Sequence, residues 1–292
     1  MEVLPERYFY IFVGVKSPLM QYDPKDVCRR VVQIAKRAGN FIAAERKIFT
    51  ADNIEFKGRQ NLVSYVDKNA EHMIVDSLRD VVPGAGFIAE EGTEAGAPIT
   101  REGLRWIIDP LDGTTNFVHG MPPYCVSIAL ADEDEITIGV VYEVTGSESY
   151  YAWKGSPAYL NGEQIRVSQT ARLEDSLVIT GLAYNSEEMV TDFMDHFVYF
   201  NLNTHGARRL GSAAADLVYV AAGRAEGFYQ ANLSPWDVAG GAFIVMQAGG
   251  VVTDFAGGDD WLFGREIIAT NALLYDRFLE RLGRNTERAY LG

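Results

Sequence analysis

The chain has 292 residues, 48% apolar and 23% charged, which supplies a large core and excludes a disordered or fibrous protein. Its 26 basic and 40 acidic residues leave a formal net charge of −14, which argues against a duplex-binding or polybasic membrane-binding surface. That acidity suits a protein that gathers divalent cations and equally one that is simply kept in solution. Cys28 and Cys125 lie far apart without metal-ligand spacing, so neither a disulfide framework nor a zinc ribbon is expected. The apolar stretch at 8–15 is too short to span a bilayer and lacks the flanks of an export signal, making a reducing cytoplasm the expected location.

Residues 1–21 have no clear period, and Met20 stands just ahead of a strong helix start, so they read as an N-terminal extension. Asp23 as N-cap and Pro24 at the first helical position open a long amphipathic helix carrying Val27, Val31, Ile34, Ala35, Ala38 and Ile42 on one face. A second helix is predicted over 67–79, then the turn Pro83-Gly84 and short strands at 86–88 and 104–108. Strands at 125–130 and 136–143 flank a turn at 132–135, and Asn161-Gly162 signals a hairpin between 158–160 and 164–167, giving an antiparallel sheet. Beyond 173 the texture alternates: a strand near 177–180, a helix capped by Ser186, a helix from Ser212, a strand near 226–229, a helix from Asp237 and a last helix after Asn271. This divides the chain into 22–172 and 173–292, as two packed subdomains.

The segment from Trp106 to Asn116, WIIDPLDGTTN, carries the most chemistry. An apolar strand runs into Asp109 and Asp112, and Pro110 between them is expected to stop the strand and let the carboxylates converge. Gly113 allows close backbone approach to a ligand, and Thr114 and Thr115 add hydroxyls, a combination able to hold a phosphate. Mg²⁺ takes oxygen ligands and shares phosphate oxygens with a substrate, which carboxylates beside a phosphate cradle satisfy. The competing reading is an Asx-type turn and helix cap. Further acids stand at similar places: Glu90-Glu91 after the strand at 86–89, Asp67 and Asp237 at helix starts. Taken singly these are solvated loop charges and N-caps; four in the same structural position point to a site.

In this order, Glu-Glu-Gly at 90–92, Trp-Ile-Ile-Asp-Pro-Leu-Asp-Gly-Thr-Thr-Asn-Phe at 106–117 and Pro-Trp-Asp-Val-Ala-Gly-Gly at 235–241 make the chain resemble the inositol monophosphatase family of metal-dependent, lithium-sensitive sugar phosphatases, over about 23–282. The resemblance implies a layered αβαβα sandwich of the sugar phosphatase type, an antiparallel-sheet α+β subdomain followed by a smaller α/β subdomain with the site between them. It implies that Glu90, Asp109 and the Leu111 carbonyl hold one Mg²⁺, that Asp109, Asp112 and Asp237 hold a second, and that Glu90 supports a weaker third. Gly113 and Thr114 would contact phosphate, and Asp67 with Thr114 would orient the attacking water.

The implied activity is hydrolysis of a small polyol or sugar phosphate by a metal-activated water, in a homodimer without nucleic-acid or membrane partners. Fructose bisphosphate, a nucleotide 3′-phosphate and NADP are alternative substrates, and a non-catalytic regulatory protein on the same fold is the rival reading. Gly211, Ser212 and Ala213 fall where the family places a loop near the sugar; Ser212 reads equally well as a helix N-cap. Gln230 stands where the family commonly has a Glu that binds a substrate hydroxyl, a departure that bears on substrate preference and not on phosphatase chemistry. The histidines have no assigned part: His72 reads as helical, His196 as following an acidic apolar helix, His119 and His205 as loop residues.

Overall fold

A computed structural model describes residues 22–50, 54–58, 61–92, 102–181 and 187–283. The extension 1–21 and the expected cap Ser186 lie outside them. Helix α1 (Pro24–Arg46) begins as expected, with the Asp23 carboxylate accepting from the Lys25 N–H at 3.0 Å. Strands β1 (Ile54–Gly58) and β2 (Asn61–Ser64) form an antiparallel pair leading into α2 (Tyr65–Arg79).

Next come β3 (Gly86–Ala89), β4 (Leu104–Asp112), the short helix α3 (Thr114–His119), β5 (Cys125–Asp132), β6 (Glu135–Glu143), β7 (Glu148–Trp153), β8 (Ala158–Leu160) and β9 (Glu163–Ile165). These strands make a seven-stranded sheet in chain order, antiparallel except where β3 lies parallel to β4. The remaining elements are β10 (Val178–Thr180), α4 (Glu187–Asn203), β11 (Ala207–Arg208), α5 (Ala213–Ala221), β12 (Gly227–Ala231), α6 (Pro235–Gln247), β13 (Gly250–Thr253), β14 (Glu266–Asn271) and α7 (Tyr275–Gly283). Their strands form a mixed five-stranded sheet in the order β11-β10-β12-β14-β13.

Strand alternation sorts the apolar side chains into layers. On one face of the larger sheet Trp106, Ile108, Val126, Ile128 and Val140 pack with Val31, Ala35, Ile42, Ile74 and Leu78 of α1 and α2. On the other face Ile107, Ala129, Val141 and Ala152 join Leu217, Val218, Phe243 and Ile244 of α5 and α6, and the same core continues to Phe228, Ile267 and Ala269 of the smaller sheet. Beyond that sheet, Val178, Tyr229 and Ile268 pack with Phe200 of α4 and Phe278 and Leu282 of α7. The result is the expected αβαβα stack, with α5 and α6 in the middle. Cys28 and Cys125 are free thiols buried in different cores.

The middle layer is close-fitting: a Cβ built at Gly139 of β6 would lie 2.6 Å from the Gly240 carbonyl oxygen of α6, so the two backbones touch. Among the described residues no helix is long and apolar enough to cross a membrane. His196 lies within α4, not after it, because the apolar positions Phe193, Phe197 and Phe200 continue the helix through it.

Candidate functional site

Pro110 does not end its strand. β4 continues to Asp112, pairing Asp109 with Ser127 and Asp112 with Cys125, so two residues of β4 oppose one of β5. Residues three apart on a regular strand face opposite ways; the extra residue of this bulge returns Asp112 to the face that carries Asp109. Leu111 drops into the α1/α2 core. The Asx turn read as the alternative is present too, the Leu111 N–H donating to Asp109 Oδ1 at 2.9 Å.

Asp237 reaches this face from α6. It is the third residue of that helix, not its N-cap: Ser234 is the cap, and its N–H donates to Asp237 Oδ2 at 2.7 Å in a reciprocal capping box. Ligand atoms of Asp109, Asp112 and Asp237 all lie within 4.8 Å of one another. Parallel pairing of Ala89 with Ile108 brings Glu90 beside Asp109, held by its N–H to the Ile108 carbonyl at 3.2 Å.

Asp67 repeats the helix-start pattern. As third residue of α2 its Oδ2 accepts from the Ser64 N–H at 2.9 Å and from the Ser64 hydroxyl at 2.6 Å. That leaves Oδ1, which lies 3.0 Å from the Thr114 hydroxyl; the same hydroxyl is 3.0 Å from the Leu111 carbonyl oxygen. A hydroxyl has one hydrogen, so it serves one of these acceptors at a time. One turn along α2, buried Glu71 accepts the Glu91 N–H at 2.7 Å and pins the loop that bears Glu90.

The loop of 211–213 is drawn in through Asp112, whose Oδ2 accepts from the Ser212 hydroxyl and the Ala214 N–H, both at 2.6 Å. Ser212 is also the N-cap of α5, accepting from the Ala215 N–H at 3.3 Å. Asn116, quoted within the motif but given no part there, donates to the Pro123 and Leu210 carbonyls at 2.8 and 2.7 Å and ties the two loops together. Gly211 sits at φ 92° with a Cβ position 2.9 Å from Asn116 Oδ1, so only glycine fits. Gln230 stands apart on β12, over Gly181 of the neighbouring strand end, with no hydrogen bond to the carboxylates.

No lysine or arginine forms an ion pair with Asp109, Asp112 or Asp237 among the described residues. Burial and then the charges of Glu90, Asp112 and Asp237 push the Asp109 carboxyl well above its ordinary range. Burial, offset by the Ser212 and Ala214 donors, pushes Asp112 up to about 6, and burial with the Asp112 charge pushes Asp237 up to about 7. Burial outweighs the Ser64 and Thr114 hydrogen bonds in raising Asp67. An all-oxygen set of mutually repelling carboxylates, with the charge of Arg265 near Asp237 but no ion pair, fits a hard divalent cation, which offsets the repulsion.

The sequence model of the inositol monophosphatase family matches residues 23–287. The chain is 41% identical over 232 residues to a Thermotoga maritima protein named fructose-1,6-bisphosphatase/inositol-1-monophosphatase, covering 78% of this chain and 86% of that one. It is 38% identical over 240 residues to the Escherichia coli protein named Nus factor SuhB, covering 82% and 89%. The crystal structure of the extragenic suppressor protein suhB of Bartonella henselae superposes with a TM-score of 0.81 at 36% identity, covering 89% of this chain and 99% of that one.

Proposed function

The chain belongs to the inositol monophosphatase family of metal-dependent phosphatases, and we propose that it is a Mg²⁺-dependent phosphomonoesterase acting on a small polyol or sugar phosphate. The observation that carries this reading is the convergence of Asp109, Asp112 and Asp237 within 4.8 Å, beside Glu90. In this proposal Glu90, Asp109 and the Leu111 carbonyl hold one ion and Asp109, Asp112 and Asp237 a second, with Glu90 supporting a weaker third. Held by these residues, such ions would supply neutralisation of phosphate charge, a more acidic water and stabilisation of the departing alkoxide.

The chain's own residues orient the nucleophile. Asp67, with Oδ2 taken by Ser64, offers Oδ1 to the shared Thr114 hydroxyl, and an acceptor left over by that single hydrogen is available to position water. Gly113 and Thr114 face the phosphate, while Gly211, Ser212, Ala213 and Gln230 line the side of the leaving alcohol. Lithium sensitivity, a homodimer and a cytoplasmic place of action complete this reading and rest on the family resemblance. The shared ancestry with a protein named Nus factor SuhB keeps a regulatory role as the rival.

Phosphate release from myo-inositol monophosphate, fructose bisphosphate, NADP and a nucleotide 3′-phosphate, with Mg²⁺ and with excess chelator, decides between them. Turnover that requires millimolar Mg²⁺ and falls with Li⁺ or Ca²⁺ supports the enzyme; full turnover in chelator defeats the cation-dependent reading, and no turnover on any substrate favours the regulatory one.

A further inference from the structure

On the opposite face of the larger sheet from the carboxylates, α1, β7 and the turn between β8 and β9 surround an open pocket of about 200 Å³ lined by Arg29, Gln33, Lys36, Ser149, Tyr151 and Asn161, among others. Arg29, Gln33 and Lys36 follow one another at four- and three-residue steps, which sets all three on one stripe of the helix. Neither the Arg29 nor the Lys36 side chain has a hydrogen bond or an ion pair among the described residues. Although the chain carries a net charge of −14, these two cations without carboxylate partners set a local excess of positive charge around one concavity.

The pocket has a second polar feature in its wall. Ser149 alternates with Tyr150, which belongs to the α5/α6 core, so its side chain faces α1. Ser149 is 1% exposed, and its hydroxyl oxygen has no hydrogen-bond partner. A buried hydroxyl without a partner costs on the order of 1–3 kcal/mol, so it calls for a polar occupant. The rim is fixed by the hairpin: the Asn161 side-chain oxygen accepts from the Ser149 N–H at 2.9 Å and the Asn161 N–H donates to the Ser149 carbonyl at 2.9 Å. The Asn161 amide group keeps its own two donors for something else.

We propose that this pocket is a second, non-catalytic binding site for a small phosphate-bearing anion. Arg29 and Lys36 supply the charge, Gln33 and Asn161 amide donors, and the Ser149 hydroxyl a donor at the wall. Three strand spacings of about 4.8 Å each separate β7 from β4, so the site is roughly 14 Å from the carboxylates within the sheet and across its thickness. Binding here therefore does not require the divalent cations.

That independence gives the test. Inorganic phosphate is titrated into the full chain in excess chelator, where the carboxylates repel it, and binding is followed by phosphorus NMR line width and thermal shift. The expected result is saturable binding that weakens at least tenfold in the Arg29→Gln/Lys36→Gln double variant, with kcat on the best substrate in Mg²⁺ unchanged. A Ser149→Ala variant, which keeps the fold's apolar volume, is expected to weaken it by a smaller factor. No saturable binding by the wild type up to tens of millimolar, or equal binding by the double variant, overturns the proposal. If phosphate binds only when Mg²⁺ is restored, the anion belongs to the carboxylate site and the proposal fails without touching the phosphatase reading.

Discussion

Replacing Asp237 by Asn in the cation-free protein is expected to stabilise it, and only above mildly acid pH. The folded state raises this carboxyl from 3.8 to about 7, so between those values the folded chain holds the proton more firmly than the unfolded one. Stability is therefore lost as pH rises through that window and stays lost above it. The shift of about 3 units corresponds to a ceiling of about 4 kcal/mol at pH 8, at roughly 1.4 kcal/mol per unit. Asp237 is only partly buried and shares its repulsion with Asp112, which brings the expected penalty to about 2 kcal/mol.

Asn keeps an oxygen for the Ser234 N–H but gives up about 0.5 kcal/mol of favourable charge at the start of α6. A net gain of about 1.5 kcal/mol, or roughly 3–5 °C in Tm, should remain at pH 8 and vanish near pH 3.5. Urea unfolding of wild type and Asp237→Asn in chelator, from pH 3.5 to 8, measures the difference, which includes the relief of Asp109 and Asp112, while titrating groups away from the cluster cancel. Adding Mg²⁺ at about ten times the Kd of the site that Asp237 completes should then stabilise the wild type by about 1.4 kcal/mol more than the variant, which keeps the site of Glu90 and Asp109. A variant that is less stable at pH 8, or a difference independent of pH, would refute the electrostatic reasoning.

Asp109→Asn should abolish turnover while circular dichroism shows the fold intact, and Thr114→Ala should lower kcat by about 10²-fold; equal and negligible effects would remove both from the mechanism. Gln230→Glu restores an acceptor-only carboxylate, and the ratio of kcat/KM for myo-inositol monophosphate over NADP or a sugar bisphosphate should rise by about 1–2 kcal/mol, or about tenfold. Gly211→Ala meets Asn116 Oδ1 at 2.9 Å in a backbone conformation only glycine tolerates, so it should cost about 1–3 kcal/mol in urea unfolding and lower kcat by loosening the loop that holds Asp112.

The start of helix α1 is legible to the residue because its cap, its Pro24 and its apolar stripe agree with one another. The carboxylates were legible because four acids recur where strands end and helices begin. The path of the chain through them was not: Pro110 reads as a stop, yet a bulge satisfies it, since β5 can skip a partner there and still pair with Asp112. Asp67 and Asp237 look like caps because aspartate is a common cap, while the serines three residues earlier hold that place; the Ser-x-x-Asp spacing at 64–67 and 234–237 was the available signal. Asn116 and Glu71 could not be singled out, since their partners Leu210 and Glu91 are distant in sequence. Strands β13 and β14 were missed among the glycines and acids of the loop that joins them.

The contact of Gly139 with Gly240 sets a gauge across the candidate site. Two carboxylates come from the sheet and one from α6, and their separation is fixed where bare backbone meets bare backbone, not by side chains that repack as a core drifts. A methyl group at position 139 must push α6 outward by some fraction of an ångström, and displacements of about 1 Å are enough to cost roughly 10²-fold in a positioned reaction. The surrounding layers are thereby free to vary in volume and shape, while the one dimension on which the chemistry depends is held by two residues that have no side chain to change.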